Sequence, residues 1–296
     1  MGGLDGHFRV CYRLPASGFQ LGQNLTESDL VKQDRVAARE MSMEAVLRGA
    51  PGALQAPVEQ AQARQRLMSL FRQTPLPPAE LATNLGLYLR STLVAKMLYL
   101  NELYTQILPL PGVVMEFGCW WGSNLALFSS LRAIHEPYNY ARRVVGFDSF
   151  AGYQSVSQRD GSSPYVTEGA YAVASDYLPH LQAVLDCHEA DNPMSHLKKY
   201  ELVAGDVTET VPGYFQRHPE CVVALAYLDM QLYEPTKAAL QGILPHLVSG
   251  SVVAIDELNC PDFPGETQAV AEVLGFRRHR FLRSKFLPDR TYVVME

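Results

Sequence analysis

The sequence predicts an α/β fold, in which helices cover both faces of a doubly wound, mostly parallel sheet. Short apolar, β-branched runs alternate with helical segments after residue 109, a pattern typical of parallel strands that are buried on both faces. Gly or an acid follows most of these runs, and two further apolar runs close the chain. We therefore expect seven strands, with an antiparallel strand at the C-terminal end of the chain and a helical extension at the N-terminus.

Size, charge and cysteine content exclude several classes of protein. The 296 residues carry a net charge of -6, and this acidic balance argues against nucleic acid as a partner. No apolar stretch reaches membrane-spanning length and no secretory signal is evident, so we expect a cytoplasmic protein that does not contact membranes. The five cysteines are widely spaced and form no C-x-x-C pair, which predicts free thiols.

The chain divides into two predicted regions at residue 108. Residues 1–108 are interpreted as an N-terminal arm and helical extension, which either mediates oligomerisation or covers the substrate. Leu67, Leu70 and Phe71 share one helical face in this region. Residues 109–296 form the predicted catalytic domain. We expect a homo-oligomer, the usual state of such enzymes.

The strand candidates set the order of the predicted catalytic domain. They cover residues 113–118, 143–148, 200–204, 222–228, 251–255, 276–281 and 290–295. Helices are predicted at about 123–134 and 171–191. The polar stretch at about 152–169 is too long for an ordinary connection, so we interpret it as a lid.

The first strand ends in Glu116 and Gly118, and a helix follows Gly122. The spacing lacks the G-x-G-x-x-G of dinucleotide enzymes, which argues against a pyrophosphate site. Glu116 closes an apolar strand and needs a polar partner, which the cationic methionine end of S-adenosylmethionine would supply. The alternative is an ordinary Glu in a surface loop. The predicted cofactor contacts in this turn also include Cys119, Trp120 and Ser123.

The second and third strands also end in acids. Asp148 is placed to accept hydrogen bonds from two ribose hydroxyls, and Ser149 follows it; the alternative is a turn or helix-capping Asp. Gly205 and Asp206 follow the third strand, where Asp206 either bonds the adenine amino group or caps the next helix.

Three acids follow the fourth and fifth strands, namely Asp229, Asp256 and Glu257. Repulsion makes such a cluster costly unless a cation or a shared proton is present. Oxygen ligands suit Mg²⁺, which would bind substrate oxygens and lower the pKa of a hydroxyl group. The alternative is that these acids cap helices and face water.

These residues belong to stretches that together resemble a known family. VMEFGCWWG, VVGFDSFAGY, AGDVTETVP, LDMQLYEPT and AIDEL are similar to sequences of the macrocin O-methyltransferase (TylF-like) family, over about residues 90–295. These class I enzymes have a Rossmann-like fold, use S-adenosylmethionine and Mg²⁺, and methylate sugar hydroxyls of natural products. The resemblance implies that Glu116, Gly118 and Asp148 bind the cofactor. It also implies that Asp229, which lies beside the cofactor, holds the metal with Asp256 and Glu257.

Two positions depart from the family pattern. The family commonly has Asp-Asp where this chain has Asp256-Glu257, and an acid where this chain has Gln231. An amide accepts no proton near neutral pH. The catalytic candidates are therefore Gln231 as the substituted position, Asp229, and His180 in the segment that follows the predicted lid, with metal-bound hydroxide as a further base.

The sequence thus predicts an S-adenosylmethionine-dependent O-methyltransferase that uses Mg²⁺. The expected acceptor is a hydroxyl of a small molecule, namely a sugar, a sugar nucleotide or a glycosylated natural product. Two alternatives stay open. One is a metal-independent N- or carboxyl-methyltransferase, and the other is a catalytically silent partner protein with the same fold.

Overall fold

The computed structural model describes residues 58–154 and 156–296. The predictions for the arm before residue 58 lie outside the described residues. The described residues divide into two compact units, with the boundary between Leu89 and Arg90. In the first unit, helices α1 (Val58–Arg72) and α2 (Pro78–Thr83) are separated by a proline-rich stretch, and a short 3₁₀ turn follows. Proline lacks a backbone donor and interrupts helices, which explains the break.

The second unit carries the sheet. Its elements, in chain order, are α3 (Ser91–Gln106), β1 (Val113–Phe117), α4 (Ser123–His135), β2 (Val144–Asp148), α5 (Tyr177–Asp191), β3 (Tyr200–Ala204), α6 (Val207–Arg217), β4 (Val223–Leu228), α7 (Tyr233–Ile243), β5 (Leu247–Ile255), α8 (Pro264–Val273), β6 (Phe281–Arg283) and β7 (Thr291–Val294). The division at residue 108 stays a prediction, and α3 lies in the same compact unit as the sheet. Within the described residues, no helix combines the length and apolar character needed to cross a membrane.

The sheet confirms the predicted fold class. Its strand order is β3-β2-β1-β4-β5-β7-β6. The first five strands are parallel, and β7 runs antiparallel to both β5 and β6. The order reverses between β1 and β4, and ligands of such sheets bind beyond the strand ends at this switch point.

Helices cover both faces of the sheet because its strands are apolar on both faces. On one face, Phe117 and Phe147 pack in a core with α6, α7 and α8. On the other face, Val114 and Tyr227 pack in a core with α3, α4 and α5. The two faces alternate along each strand, as the period of a β-strand requires.

Three elements differ from the sequence prediction by more than one residue. The predicted helix at 171–191 begins only at Tyr177, because Tyr171 has a φ of 65° that no right-handed helix allows. The strand predicted at 276–281 lies at Phe281–Arg283, because the chain turns after Gly275, which has a φ of 71°. Strand β5 begins earlier than predicted, at Leu247.

The chain between β2 and α5 folds over the carboxyl ends of the strands, and we call residues 149–176 the covering segment. Its buried Asp160 accepts hydrogen bonds from Ser157 in a 3₁₀ capping box. Asp160 Oδ1 also accepts from the backbone N–H of Tyr233, the first residue of α7, at 2.6 Å. A carboxylate is favourable at a helix N-terminus, so Asp160 anchors the covering segment to α7.

Candidate functional site

The turn after β1 passes directly against the residue after β4. Gly118 has a φ of 88°, and a Cβ atom built there would lie 2.1 Å from the backbone oxygen of Asp229. The backbone N–H of Asp229 in turn donates to the Phe117 carbonyl at 2.8 Å. Glycine is therefore required here for two reasons, namely its left-handed backbone and the lack of space.

We expect Gly118→Ala to lower the free energy of unfolding by about 2 kcal/mol or more. The left-handed conformation alone costs a non-glycine residue about 1–2 kcal/mol, and displacing the Asp229 backbone adds to this cost. Gly213→Ala is the matched control, because Gly213 lies inside α6 with only the Arg217 guanidinium within contact distance. Alanine in a helix is favoured by about 0.5–1 kcal/mol, so this control should unfold at equal or higher urea concentration. Equal losses in the two variants would contradict the close-approach argument.

Glu116 places a buried carboxylate oxygen without a partner at the switch point. Its side chain is buried, and Oε1 accepts a hydrogen bond from Asn124 Nδ2 at 2.8 Å. Oε2 is also buried and has no hydrogen-bond partner. Burial raises the pKa of Glu116 well above its ordinary value. Buried polar atoms are almost always paired, so this oxygen fits a ligand that brings a donor such as an ammonium group.

Asp148 ends β2 next to this turn. Its Oδ2 accepts from the backbone N–H of Trp120 at 2.8 Å, and its Oδ1 accepts from that of Phe150 at 2.6 Å. Burial raises the pKa of Asp148. A carboxylate has about four acceptor positions, so Asp148 can still accept from a further donor such as a ribose hydroxyl. The sequence-predicted partner Ser149 shapes the following turn, since its Oγ donates to the Gly152 carbonyl at 2.9 Å.

The remaining predicted cofactor residues frame the same edge of the sheet. Cys119 is buried and bonds backbone carbonyls, while Gly122, with a φ of 73°, leads into α4 at Ser123. Gly205 N–H donates to the Asp148 carbonyl at 2.9 Å, which joins the ends of β2 and β3. Asp206 caps α6, because its Oδ1 accepts from the backbone N–H of Thr208 at 2.8 Å. The capping alternative for Asp206 is thus present in the structure.

Several residues around these strand ends adopt strained backbone conformations. Trp120, Phe150, Tyr171 and Gln231 have φ values of 48°, 56°, 65° and 62°. Non-glycine residues rarely adopt positive φ, and such residues concentrate at functional sites where the surrounding structure holds them in place. Their clustering beyond β1, β2 and β4 supports this edge of the sheet as the functional site.

The acids after β4 and β5 lie at adjacent strand ends, because Leu228 and Ile255 are in register. Asp256 and Glu257 are buried, and Asp229 is partly exposed. Burial and the neighbouring Asp256 carboxylate raise the pKa of both Asp229 and Glu257. The cluster therefore holds more negative charge than its surroundings stabilise.

An arginine supplies a cation to this cluster. Arg290 Nε lies 2.7 Å from Asp256 Oδ1, and Arg290 Nη2 lies 4.0 Å from Glu257 Oε1. The Tyr227 hydroxyl also donates to Asp256 Oδ1. Arg290 precedes β7, which runs beside β5, so the antiparallel strand brings its side chain to the acids.

The three acids have the ligand chemistry of a site for a hard divalent ion, since they provide only oxygen donors. Among the described residues, however, no three His, Cys, Asp or Glu side chains are grouped closely enough to hold a metal ion as placed. Asp256 is instead engaged with Arg290. The three acids thus offer the oxygen donors that Mg²⁺ prefers. The Arg290 guanidinium group competes with such an ion for Asp256.

Sequence reasoning missed Glu266, which joins the loops that follow β4 and β5. This fully buried side chain in the first turn of α8 accepts from the backbone N–H of Glu257 at 2.9 Å with Oε1. Its Oε2 accepts from the backbone N–H of Gln231 at 3.1 Å. Burial raises the pKa of Glu266 to about 8. The sequence signal was an acid directly after Pro264-Gly265 at a helix start.

Aromatic side chains line the space between the covering segment and the β1 turn. Trp120 lies 5.7 Å from Trp121 and 5.8 Å from Tyr171 between ring centroids. The Tyr177 hydroxyl donates to the Trp121 carbonyl at 2.8 Å, and the Tyr177 ring packs against His180. His180 itself is exposed on α5.

Comparisons with known proteins identify the family that the chain resembles. The profile of the macrocin-O-methyltransferase (TylF) family matches residues 94–285. A curated protein of Streptomyces olivaceus, 8-demethyl-8-(2,3-dimethoxy-alpha-L-rhamnosyl)-tetracenomycin-C 4'-O-methyltransferase, is 30% identical over 152 residues. This match covers 50% of the chain and 53% of the relative, so the chain spans about half the length of that curated relative.

Solved structures extend the likeness over most of the chain. CalS11, a calicheamicin methyltransferase, has a TM-score of 0.79 and is 42% identical, covering 81% of this chain and 94% of CalS11. The apo structure of CalS11, described as a TDP-rhamnose 3'-O-methyltransferase of calicheamicin biosynthesis, has a TM-score of 0.72 at 40% identity and covers 81% and 96% of the two chains. The O-methyltransferase NovP shares the fold at 18% identity, with a TM-score of 0.52 and coverage of 68% and 80%.

Proposed function

The chain belongs to the macrocin-O-methyltransferase (TylF) family, and on this premise we propose that it transfers the methyl group of S-adenosylmethionine to a sugar hydroxyl. The observation that carries the proposal is Glu116, whose buried Oε2 lacks a partner at the switch point. When bound, the cofactor supplies an electrophilic methyl group on a sulfonium centre. Its cationic amine provides the donor that Glu116 needs.

The residues of the strand ends would bind and orient this cofactor. Glu116 would accept from the methionine amine, and Asp148 from the ribose hydroxyls. Because Gly118 has no side chain, the turn after β1 can lie directly against the Asp229 backbone. Asp206, beyond its helix-capping bond, would accept from the adenine amino group. The supporting contacts are proposed for Cys119, Trp120, Gly122, Ser123, Ser149, Gly205 and Asp229.

We propose a deoxysugar as the acceptor, in the form of a sugar nucleotide. Two observations support it. CalS11 is described as acting on TDP-rhamnose and matches over nearly its whole length, whereas the curated relative, described as acting on a rhamnosyl group joined to tetracenomycin C, matches over about half. The aromatic rings of Trp120, Tyr171 and Tyr177 would pack against the apolar face of the sugar.

Asp229 is the proposed proton acceptor for the sugar hydroxyl, because this half-buried residue follows β4 at the switch point and lies close to Glu116. His180, which is exposed on α5, is the second candidate. Asp229, Asp256 and Glu257 would hold Mg²⁺ in competition with Arg290. Such an ion would stabilise negative charge on the acceptor oxygen.

One observation favours a metal-independent alternative, namely the contact between Arg290 and Asp256. In this alternative the guanidinium group balances the negative charge of the acids permanently. The acceptor is then either an amine or a group, such as a carboxyl, that is more acidic than a sugar hydroxyl. Methyl transfer that persists in EDTA would favour this alternative.

The first test is calorimetric titration of S-adenosylhomocysteine into the full chain, with Mg²⁺ and again with EDTA. Binding in the micromolar range supports the cofactor site, and a separate Mg²⁺ signal that Asp256→Asn removes supports the metal. Absence of cofactor binding in both buffers would contradict the proposal and favour a catalytically silent partner protein.

The second test is methyl transfer from isotopically labelled S-adenosylmethionine to TDP-rhamnose, compared with a rhamnosylated aglycone. Transfer to the nucleotide alone supports the proposed acceptor. Transfer to the glycosylated aglycone alone would contradict the sugar nucleotide as the acceptor. The proposed methyl transfer to a sugar hydroxyl would still hold.

We expect Asp148→Asn to weaken S-adenosylhomocysteine binding about 10- to 100-fold, since a hydrogen bond to a charged group contributes about 1.5–3 kcal/mol. Asp191→Asn, at the exposed end of α5, is the control and should bind normally. Asp206→Asn keeps a good helix cap, so a loss of affinity in this variant would support its adenine contact. Unchanged affinity in Asp148→Asn would contradict the proposed ribose contact.

We also propose a homo-oligomer. Large apolar side chains are exposed on α3 and around the end of α4, including Leu98, Ile134 and Tyr138, and such surface favours association. Light scattering on the full chain measures the state directly, and a monomer at micromolar concentration would contradict this proposal.

A further inference from the structure

The side-chain amide of Gln231 bridges Asp229 and Tyr153. Its Nε2 donates to Asp229 Oδ1, and its Oε1 accepts from the Tyr153 hydroxyl at 2.8 Å. A carboxylate only accepts, so the NH₂ group of the amide must face Asp229 and its oxygen must face the phenol. The two partners therefore fix the amide in one orientation.

The backbone of Gln231 is held as firmly as its side chain. Its N–H donates to Glu266 Oε2 at 3.1 Å, and its carbonyl accepts from the Glu266 N–H at 3.2 Å. These bonds hold a residue whose φ is 62°. Such strain persists where the surroundings over-determine the conformation, and it is characteristic of functional positions.

Tyr153 belongs to the covering segment and is buried within it. Its N–H donates to the Ala170 carbonyl at 2.9 Å, and its ring lies 5.1 Å from that of Tyr171. Tyr171 in turn packs edge-on against Trp120, in the turn after β1. The covering segment thus contacts the β1 end through Trp120 and the β4 end through Gln231.

We infer that Gln231 is a positioning residue, which links the placement of the covering segment over the strand ends to the orientation of the Asp229 carboxylate. The amide engages Oδ1 of Asp229, which leaves the second carboxylate oxygen for the acceptor hydroxyl. Tyr153 fixes the amide only when the covering segment is in place. This inference rests on the proposed methyl transfer, and it explains how a position without an acid serves the reaction.

A double-mutant cycle on Tyr153→Phe and Gln231→Asn tests the bridge. Phenylalanine removes only the hydroxyl, and asparagine keeps the amide and tolerates a left-handed backbone but is too short to join both partners. Each single variant is expected to lower kcat about tenfold, and the double variant to fall no further than the slower single variant. The KM for the acceptor and the affinity for S-adenosylhomocysteine should change by less than about threefold, because binding groups are untouched.

Two further variants separate positioning from other roles. Tyr165→Phe is the matched control, since Tyr165 packs in the same apolar cluster of the covering segment as Tyr153; its kcat should stay within about twofold of wild type. Gln231→Glu keeps the side-chain length but cannot donate to Asp229 when ionised, so its kcat should also fall.

Specific results would overturn the inference. Independent effects, in which the two losses multiply in the double variant, would show that Tyr153 and Gln231 do not act as a unit. A Gln231→Glu enzyme faster than wild type would show that the position lacks only a base. If wild-type protein neither binds S-adenosylhomocysteine nor transfers methyl groups, the proposed function fails instead, before the cycle is measured.

Discussion

An Asp229→Asn enzyme is expected to transfer methyl groups about 10²- to 10⁴-fold more slowly than the wild type, the usual contribution of a proton-transfer group. Asparagine has nearly the same shape, but it accepts no proton and has no negative charge to balance a cation. The loss should appear in kcat under single-turnover conditions, with saturating cofactor and acceptor.

Stability should not fall with activity in this variant. Burial and the Asp256 carboxylate raise the pKa of Asp229, so the folded protein disfavours its negative charge, and a neutral amide relieves that repulsion. The thermal midpoint is therefore expected to stay constant or rise, as often follows when a functional group is removed.

Glu234→Gln is the control for Asp229→Asn. Glu234 lies in the first turn of α7, a few residues further along the chain, and is exposed. Its amide variant should keep wild-type kcat. If Asp229→Asn retained kcat within about threefold of wild type, Asp229 would not be the proton acceptor, and His180→Ala would be the next variant to measure.

The sequence predicted the sheet and its functional edge because both follow from local patterns. Continuous apolar runs identify parallel strands, and the residue that closes each run must lie at one common edge. Glu116 and Asp148 became candidates in this way, without any knowledge of their partners. The fold class is confirmed, and the strand order places the switch point between β1 and β4.

The residues that sequence reasoning missed act through long-range contacts. Arg290 meets Asp256 only because β7 returns antiparallel to β5, and Tyr153 meets Gln231 across 78 residues of chain. Glu266 likewise bonds backbone groups of two separate loops. No local periodicity encodes such contacts, since they depend on how the loops pack.

Asp206 shows a second reason why the sequence alone does not assign every site residue. An acid that follows a strand and precedes a helix satisfies the pattern of a cap and that of a ligand equally well. The structure shows the cap, through the Thr208 N–H. Its adenine contact remains a proposal, because one oxygen that caps a helix leaves the other oxygen available.

The largest loss of stability is expected from Arg142→Met. The Arg142 side chain is 1% exposed and pairs with Glu136 at 2.8 Å. Its guanidinium also donates to the carbonyls of Ile107, Leu110 and Gly112, which lie in the connection between α3 and β1. Breaking a buried pair by removing one partner costs about 3–5 kcal/mol.

The cost is expected to be high because every partner of Arg142 stays behind. Burial raises the pKa of Glu136, but hydrogen bonds from Arg142 and Tyr104 outweigh it and hold that pKa below its ordinary value. Without Arg142 this carboxylate loses its ion pair, although Tyr104 and Asn139 still donate to it. Three backbone carbonyls each lose a hydrogen bond inside the protein, where missing bonds are costly. A methionine fills the volume but donates nothing.

The adjacent Arg143→Met is the control. Arg143 pairs with Glu201 on the surface, and the two side chains are 35% and 29% exposed. An exposed pair contributes about 0–1 kcal/mol, so this variant should unfold close to wild type. For a unit of this size, the Arg142 variant should melt roughly 6–20 °C lower. Equal melting of the two variants would show that the guanidinium of Arg142 does not hold the connection to β1, and that apolar packing alone positions the strand on which Glu116 lies.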